Sequence, residues 1–180
     1  MRGMNSVNPS TDTWDGWTPC RRIRPVVALE FGDHYLIALS LLNMGNVQIA
    51  QGAYAAACTS LEEAITRHRI RGDTEAMSSP LGTLGRALYE LGEFRAARDC
   101  QAEALTLRVT AGEQRGVAVS LGNLAPIELS QGRPGVAPRL LGAAEAIREA
   151  IRSPIIPARR GEYDRLVTSV HAALGEVAFK

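Results

Sequence analysis

The sequence is poor in several features that mark common classes of protein. Aromatic residues make up 5% of the 180 residues, and the formal net charge is +1. The apolar residues are mostly Ala and Leu. A core built from them suits close helix–helix packing better than sheets, which favour aromatic and β-branched residues. Nucleic-acid binders normally carry a clear basic excess, so the balanced charge argues against direct nucleic-acid binding.

Cysteine and long apolar runs are also scarce. The three cysteines, Cys20, Cys58 and Cys100, form no CxxC pair, and their odd number leaves at least one unpaired. A reduced compartment explains this most simply, so we expect a cytoplasmic protein. No stretch approaches the roughly 20 apolar residues of a membrane span, and no apolar signal-peptide region follows Arg2.

The chain repeats itself with a period of 40 residues. Five columns are identical in all three copies. They are Gly32, Gly72 and Gly112; Leu41, Leu81 and Leu121; Gly52, Gly92 and Gly132; Ala57, Ala97 and Ala137; and Ala64, Ala104 and Ala144. A fixed period of this length indicates a repeat architecture in which each unit packs on its neighbours.

Each copy has the pattern of two helices. Apolar residues such as Leu81, Leu84 and Leu88 recur at helical spacing, and Gly92 then supplies a helix stop. The period predicts antiparallel pairs at about 33–51 with 54–70, 73–91 with 94–110, and 113–131 with 135–151. The predicted fold class is therefore all-α, an α-solenoid of three helix-pair repeats over residues 32–152.

Both ends depart from the repeat. Residues 1–31 are rich in Pro and small polar residues, which favours a disordered or irregular segment, although Trp14 and Trp17 could pack on the first repeat or mark an insertion. Residues 153–180 predict a loop and then a capping helix at about 158–174, with Tyr163, Leu166, Val167 and Val170 facing inward. In the third copy, Pro126 should kink the first helix, whereas Pro134 or Pro138 fits a first turn.

Small residues occupy fixed columns, where they allow neighbouring helices to approach closely. Gly45, Gly85 and Ala125 form one such column. The resulting patterns, Met44-Gly45 with Ala57-x3-Leu61 and Leu84-Gly85 with Ala97-x3-Gln101, resemble the tetratricopeptide repeat family. The resemblance implies a scaffold that binds a protein or peptide.

A second resemblance is carried by residues 139–151, RLLGAAEAIREAI, followed by Pro154, Pro157, Glu162-Tyr163 and the segment 173–179. It is similar to the C-terminal end of the tetratricopeptide region in large bacterial signalling ATPases, including LuxR-type transcription regulators and their cyclase-linked relatives. In that family the repeats follow an ATPase domain and act as a sensor or docking arm. This resemblance implies an ATPase or regulator domain as a partner, and either a stand-alone remnant or a fragment of a longer protein.

The sequence offers no recognisable catalytic arrangement. His34, His68 and His171 are far apart and have no ligands at metal-binding spacing. Glu62-Glu63 fits a solvated helix face, and no preceding strand supports Gly82–Gly85 as a dinucleotide loop. We therefore expect no enzyme activity, no metal and no cofactor.

A polar stripe crosses the predicted first helices. Asn43, Thr83 and Asn123 share one column, and Asn46 and Arg86 share another three residues later. Residues three apart lie on one helix face, whereas Leu41 and Met44 should point towards the core. In tetratricopeptide proteins the first helices line a concave groove, and similar Asn residues hold peptide backbones. We expect these five residues to bind a partner; the alternative is a merely solvated inner face.

The leading functional prediction is thus a non-catalytic, protein- or peptide-binding module with a regulatory or signalling role. The alternative is the sensor or docking arm of a larger ATPase-type transcriptional regulator. No direct contact with nucleic acid or membrane is expected.

Overall fold

The computed structural model describes residues 34–155 and 157–178. Within this part of the chain every regular element is helical. The α-helices are α1 (His34–Ala50), α2 (Tyr54–Ile70), α3 (Ser78–Glu90), α4 (Phe94–Thr110), α5 (Gln114–Ser130), α6 (Ala137–Ala150) and α7 (Pro157–Ala178), with one 3-10 turn at Glu75–Met77. The fold is an all-α, tetratricopeptide-like solenoid, as the 40-residue period predicts. The expectations for residues 1–31 lie outside the described residues.

Left-handed glycines separate successive helices. Among the described residues, five glycines have positive φ values between 68° and 81°: Gly52, Gly72, Gly92, Gly112 and Gly132. The N–H of Gly92 bonds the Tyr89 carbonyl, and the next N–H bonds the Leu88 carbonyl, so the turn closes the last orphan carbonyls of α3. The predicted role of Gly92 as a helix stop is confirmed, and the turn sends α4 back along α3.

The first helix of the second repeat differs from its prediction at the start. The residues between Asp73 and Met77 do not join the α-helix, and a 3-10 turn precedes α3. Pro80 lies in the first turn of α3, where its missing N–H is best tolerated, and it cannot donate to the Ala76 carbonyl. Before this turn, the Asp73 carboxylate accepts a 3.2 Å hydrogen bond from the Ala76 N–H.

The repeated small residues form the core between paired helices. All members of the two alanine columns are completely buried: Ala57, Ala97 and Ala137, and Ala64, Ala104 and Ala144. A Cβ on Gly85 would lie 3.0 Å from the Ala97 carbonyl oxygen, which confirms the close approach predicted for this column. The helices in each pair therefore pack almost backbone to backbone.

The expected inward direction of Met44 is wrong. Leu84 and Leu124, at the same repeat position, are 6% and 7% exposed, but Met44 is 43% exposed. Leu84 shares a core cluster with Leu61 and Ile65 of the preceding α2. Among the described residues α1 is the first helix, so no preceding helix pair covers Met44 in the same way.

The first helices of the repeats lie closest to one another. α1 contacts α3, and α3 contacts α5, whereas the second helices α2, α4 and α6 share no contacts within the described part of the chain. A stack whose first helices converge and whose second helices diverge is curved, with the first helices on its inner side. The faces of α1, α3 and α5 that point away from the second helices consequently form the concave surface.

The third repeat tolerates three prolines. Helix α5 runs through Pro126 from Gln114 to Ser130, and Pro138 occupies the first turn of α6. Residues 134–136 form a turn, so α6 begins two residues later than predicted.

Helix α7 covers the end of the solenoid, packing on α5 and α6. Its predicted inward stripe is confirmed, because Val170 is buried in a cluster with Ala125 and Leu141, and the other three stripe residues pack against that cluster. The turn before α7 matches the earlier repeat turns, except that Arg152 takes the left-handed position, with φ of 52°.

Candidate functional site

The five predicted binding residues all lie on first helices. Asn43 and Asn46 are exposed on α1, whereas Thr83 and Arg86 on α3 and Asn123 on α5 are half-buried. Because α1, α3 and α5 form the inner side of the stack, the predicted stripe follows the concave surface. The residues differ, however, in what their side chains contact.

Two of the five side chains bond their own helix. The Asn46 amide donates a 3.1 Å hydrogen bond to the Leu42 carbonyl, and the Thr83 hydroxyl donates one of 3.0 Å to the Ser79 carbonyl. Asn46 keeps its side-chain oxygen available as an acceptor, and Thr83 keeps its lone pairs. These groups can therefore still accept bonds from a peptide N–H.

Arg86 and Asn123 come together at a cavity of about 300 Å³, which we call the groove cavity. Asn43, Asn46 and Thr83 do not line it, so the structure brings together two of the five predicted residues there. Gly85 and Tyr89 complete the α3 wall, and Glu90 adds one carboxylate. The cavity thus offers a guanidinium, an amide and an aromatic ring on one inner surface.

Helix α7 forms the opposite wall of the groove cavity. Arg165, Leu166 and Ser169 line it, although α7 and α3 do not contact each other. The sequence pattern does not predict this wall, because it indicates α7 only as a cap over an exposed end. A signal was present in the sequence: Leu166 belongs to the apolar stripe, and Arg165 precedes it directly.

A buried carboxylate anchors α5 beside the groove cavity. The Glu128 side chain, 7% exposed, accepts a 2.8 Å bond from Arg98 of α4 and another from Arg133 in the following turn. Burial raises the pKa of this carboxyl, but the bonds from Arg133 and Arg98 outweigh it and hold the pKa below its ordinary value. These ion pairs hold α5 against α4, and they therefore also hold the α5 wall of the groove cavity in place.

The described residues contain no cluster of three or more His, Cys, Asp or Glu side chains that could hold a metal ion. Residues Gly82 to Gly85 lie inside α3 and pack against α4, where Gln101 lies beside Gly85 and bonds the Gly82 carbonyl. In the described ranges we also find no helix that is long and apolar enough to cross a membrane. Arg86, Asn123 and Tyr89 give the groove cavity groups for hydrogen bonding and apolar contact.

Comparison with protein families agrees with this geometry. Residues 36–108 match the family model described as tetratricopeptide repeat. This match covers the first two helix pairs and supports a tetratricopeptide repeat protein; such repeats generally mediate protein–protein interactions and are typically non-catalytic. No curated protein matches the chain.

Proposed function

We propose that this chain is a non-catalytic module that binds a protein through an extended or helical peptide, with a regulatory or signalling role in the cytoplasm. The observation that supports this most is the groove cavity, where Arg86 and Asn123 meet the α7 wall on the concave side. Asn offers a donor and acceptors together, so it can bond a peptide backbone of any sequence. The Arg86 guanidinium can hold an acidic side chain through two parallel bonds.

The proposed path of the peptide follows the first helices. It runs from Asn43 and Asn46 on α1, past Thr83 and Arg86 on α3, to Asn123 on α5, where α7 closes the groove. A net hydrogen bond contributes only about 0.5–1.5 kcal/mol, so a single substitution should weaken binding little. Two substitutions on different helices test the path better.

The experiment selects binding peptides by display on the purified wild-type chain and then measures their dissociation constants. The double variant Asn43→Ala with Arg86→Ala should weaken binding about tenfold or more, which corresponds to roughly 1.4 kcal/mol. A matched control is Thr59→Ala with Arg95→Ala, because both residues are exposed on second helices. Circular dichroism must first show that both variants keep the wild-type helicity.

Undiminished binding by the Asn43 and Arg86 double variant would contradict the proposal. It would move the site to the convex face or to α7. Equal losses in both double variants would also contradict it, because the effect would then not depend on the concave face.

A more specific role is favoured by the segment 139–151, which resembles the C-terminal repeats of bacterial LuxR-type and cyclase-linked ATPase regulators. In that role the chain is the docking or sensor arm of an ATPase-type transcriptional regulator, and its partner is an ATPase domain. An adjacent reading frame that encodes a P-loop ATPase, together with binding of that ATPase to the purified chain, would support it; no binding would exclude it.

A further inference from the structure

Two arginines occupy the same position in successive repeats but have different surroundings. Arg108 near the end of α4 and Arg148 near the end of α6 are 40 residues apart. Each guanidinium lies against a glycine in the first helix of its own pair. A Cβ on Gly82 would be 3.1 Å from Arg108 Nη2, and a Cβ on Gly122 would be 3.1 Å from Arg148 Nη2.

The Arg108 guanidinium is paired mainly with the following repeat, although its buried Nε has no hydrogen-bond partner among the described residues. Its Nη1 donates a 2.7 Å hydrogen bond to the Ser120 hydroxyl and a 3.3 Å bond to the Gly116 carbonyl, both on the next repeat. The Glu113 carboxylate, five residues further along the chain, lies 3.8 Å from its Nε. Thus a carboxylate and the next first helix together compensate the buried charge of Arg108.

Arg148 lacks both of these arrangements. Its Nη2 donates a 3.2 Å bond to the Ala118 carbonyl, and its guanidinium carbon lies 5.7 Å from the centre of the Tyr163 ring. Its Nη1, however, is buried and has no hydrogen-bond partner among the described residues. The residue five positions further along, where the second repeat has Glu113, is the uncharged Ser153.

The unsatisfied guanidinium borders a cavity of about 190 Å³ between α5, α6 and the start of α7, which we call the Arg148 cavity. Arg115 and Arg148 both line it, and none of the described residues that line it carries a carboxylate. Its other walls include the apolar side chains of Val119, Ile155 and Leu166. Two acids of α6, Glu145 and Glu149, line an adjoining pocket together with Arg148 but not the Arg148 cavity itself, and Glu145 accepts a 2.8 Å bond from the Tyr163 hydroxyl.

The Arg148 cavity is large enough for a small organic molecule. An apolar protein cavity of about 150 Å³ accommodates benzene. A space of about 190 Å³ therefore has room for a small ring or a short alkyl chain together with one carboxylate.

We propose that the Arg148 cavity binds a small organic acid, whose carboxylate pairs with the Arg148 guanidinium in the place that Glu113 takes beside Arg108. Arg115 supplies a second positive charge, and the apolar body of the acid lies against Val119, Ile155 and Leu166. A desolvated guanidinium–carboxylate pair is among the stronger polar contacts in proteins, so the acid group dominates selection of the ligand. This inference does not rest on the proposed peptide groove.

The test measures binding of benzoate and hexanoate to the purified chain by calorimetry, with benzamide and hexanamide as uncharged controls. The acids should bind and raise the melting temperature, since any ligand that binds only the folded state stabilises it. The amides should bind at least about tenfold more weakly, because they carry no charge for Arg148.

Two variants locate the binding. Ser153→Glu restores a carboxylate at the position of Glu113, so it should abolish benzoate binding while the fold stays at least as stable as wild type. Arg115→Ala, which changes an exposed residue, should weaken binding about fivefold. Arg139→Ala is the matched control, because it removes an exposed arginine of α6 that does not line the Arg148 cavity, and it should bind benzoate like wild type.

The proposal is overturned if neither acid binds at tens of millimolar, if the amides bind as well as the acids, or if Ser153→Glu and Arg115→Ala both leave the affinity unchanged. Peptide affinity of the Asn43 and Arg86 double variant is a separate measurement, so failure of one proposal does not imply failure of the other.

Discussion

The Gln101 amide nitrogen donates a 2.7 Å hydrogen bond to the Gly82 carbonyl, so a polar side chain spans the completely buried space between α4 and α3. Leu61 and Leu141 hold the same position in the other two repeats. The side-chain oxygen of Gln101 is buried without a partner among the described residues. The second repeat therefore contains a polar exception in an otherwise apolar column.

Replacing Gln101 with Leu should stabilise the fold. A buried acceptor without a partner costs about 1–3 kcal/mol, and Gly82 can still accept the helical bond within α3. Leu61 packs against Gly45 in the first repeat, so a leucine fits beside Gly85 in the second. Gln101→Leu should raise the free energy of unfolding by about 1 kcal/mol, measured by urea denaturation. A loss of stability would show that the Gly82 bond outweighs the unpaired oxygen.

The alanine at position 97 should tolerate no larger side chain. Ala97 is completely buried, and its carbonyl lies 3.0 Å from where a Cβ of Gly85 would be. Ala97→Leu should lower the free energy of unfolding by about 1–3 kcal/mol through overpacking. The neighbouring Ala96 is exposed, and Ala96→Leu should be nearly neutral in the same denaturation experiment. Similar effects at both positions would mean that the helix pair is not packed as described.

The turn before α7 stores backbone strain at Arg152. This residue has φ of 52°, whereas Gly72 and Gly112 fill the equivalent positions. A left-handed conformation costs a residue with a side chain about 1–2 kcal/mol. Glycine avoids this cost, but its greater freedom in the unfolded chain offsets part of the gain. Arg152→Gly should therefore raise the free energy of unfolding by about 0.5–1 kcal/mol. Gly112→Ala, at a site with open space around it, should do the opposite.

Acidification should destabilise the first repeat through His68. Burial lowers the pKa of His68 below its ordinary value of 6.5; the nearby Asp73 raises it, and Arg71 lowers it further. The unfolded chain therefore binds a proton more readily than the folded chain below about pH 6.5, so stability falls as the pH drops from there through the folded pKa. Melting temperatures from pH 8 to pH 5 should show this fall, and His68→Gln should reduce it. A folded-state NMR titration of His68 that gave a pKa above 6.5 would contradict the account.

Most of the fold could be predicted from the sequence because the 40-residue period links local signals to global packing. The positions of Gly52, Gly92 and Gly132 fix the turns, since left-handed backbone is least costly for glycine. The columns of Ala57 and Ala64 mark the buried faces, because only small side chains fit between closely packed helices. Periodicity could not reveal the 3-10 start of the second repeat, which depends on the single Pro80.

The candidate site could be predicted only in part. Helical spacing places Arg86 and Asn123 on the inner side, but it does not say where α7 lies, and α7 supplies Arg165 and Leu166 to the same cavity. The direction of α7 is set by long-range packing of Val170 against α5 and α6. The unsatisfied Nη1 of Arg148 was likewise invisible, because it depends on which atoms of the following segment come within bonding distance.

Peptide binding along the concave first-helix face is tested most directly by NMR mapping of a display-selected peptide on the ¹⁵N-labelled chain. The account predicts that the side-chain amide signals of Asn43, Asn46 and Asn123 shift on titration, together with backbone signals of α1, α3 and α5. Signals of exposed residues on α2 and α4, such as Thr59 and Arg95, should stay in place. Shifts confined to α2 and α4, with the three asparagine amides unchanged, would contradict the account.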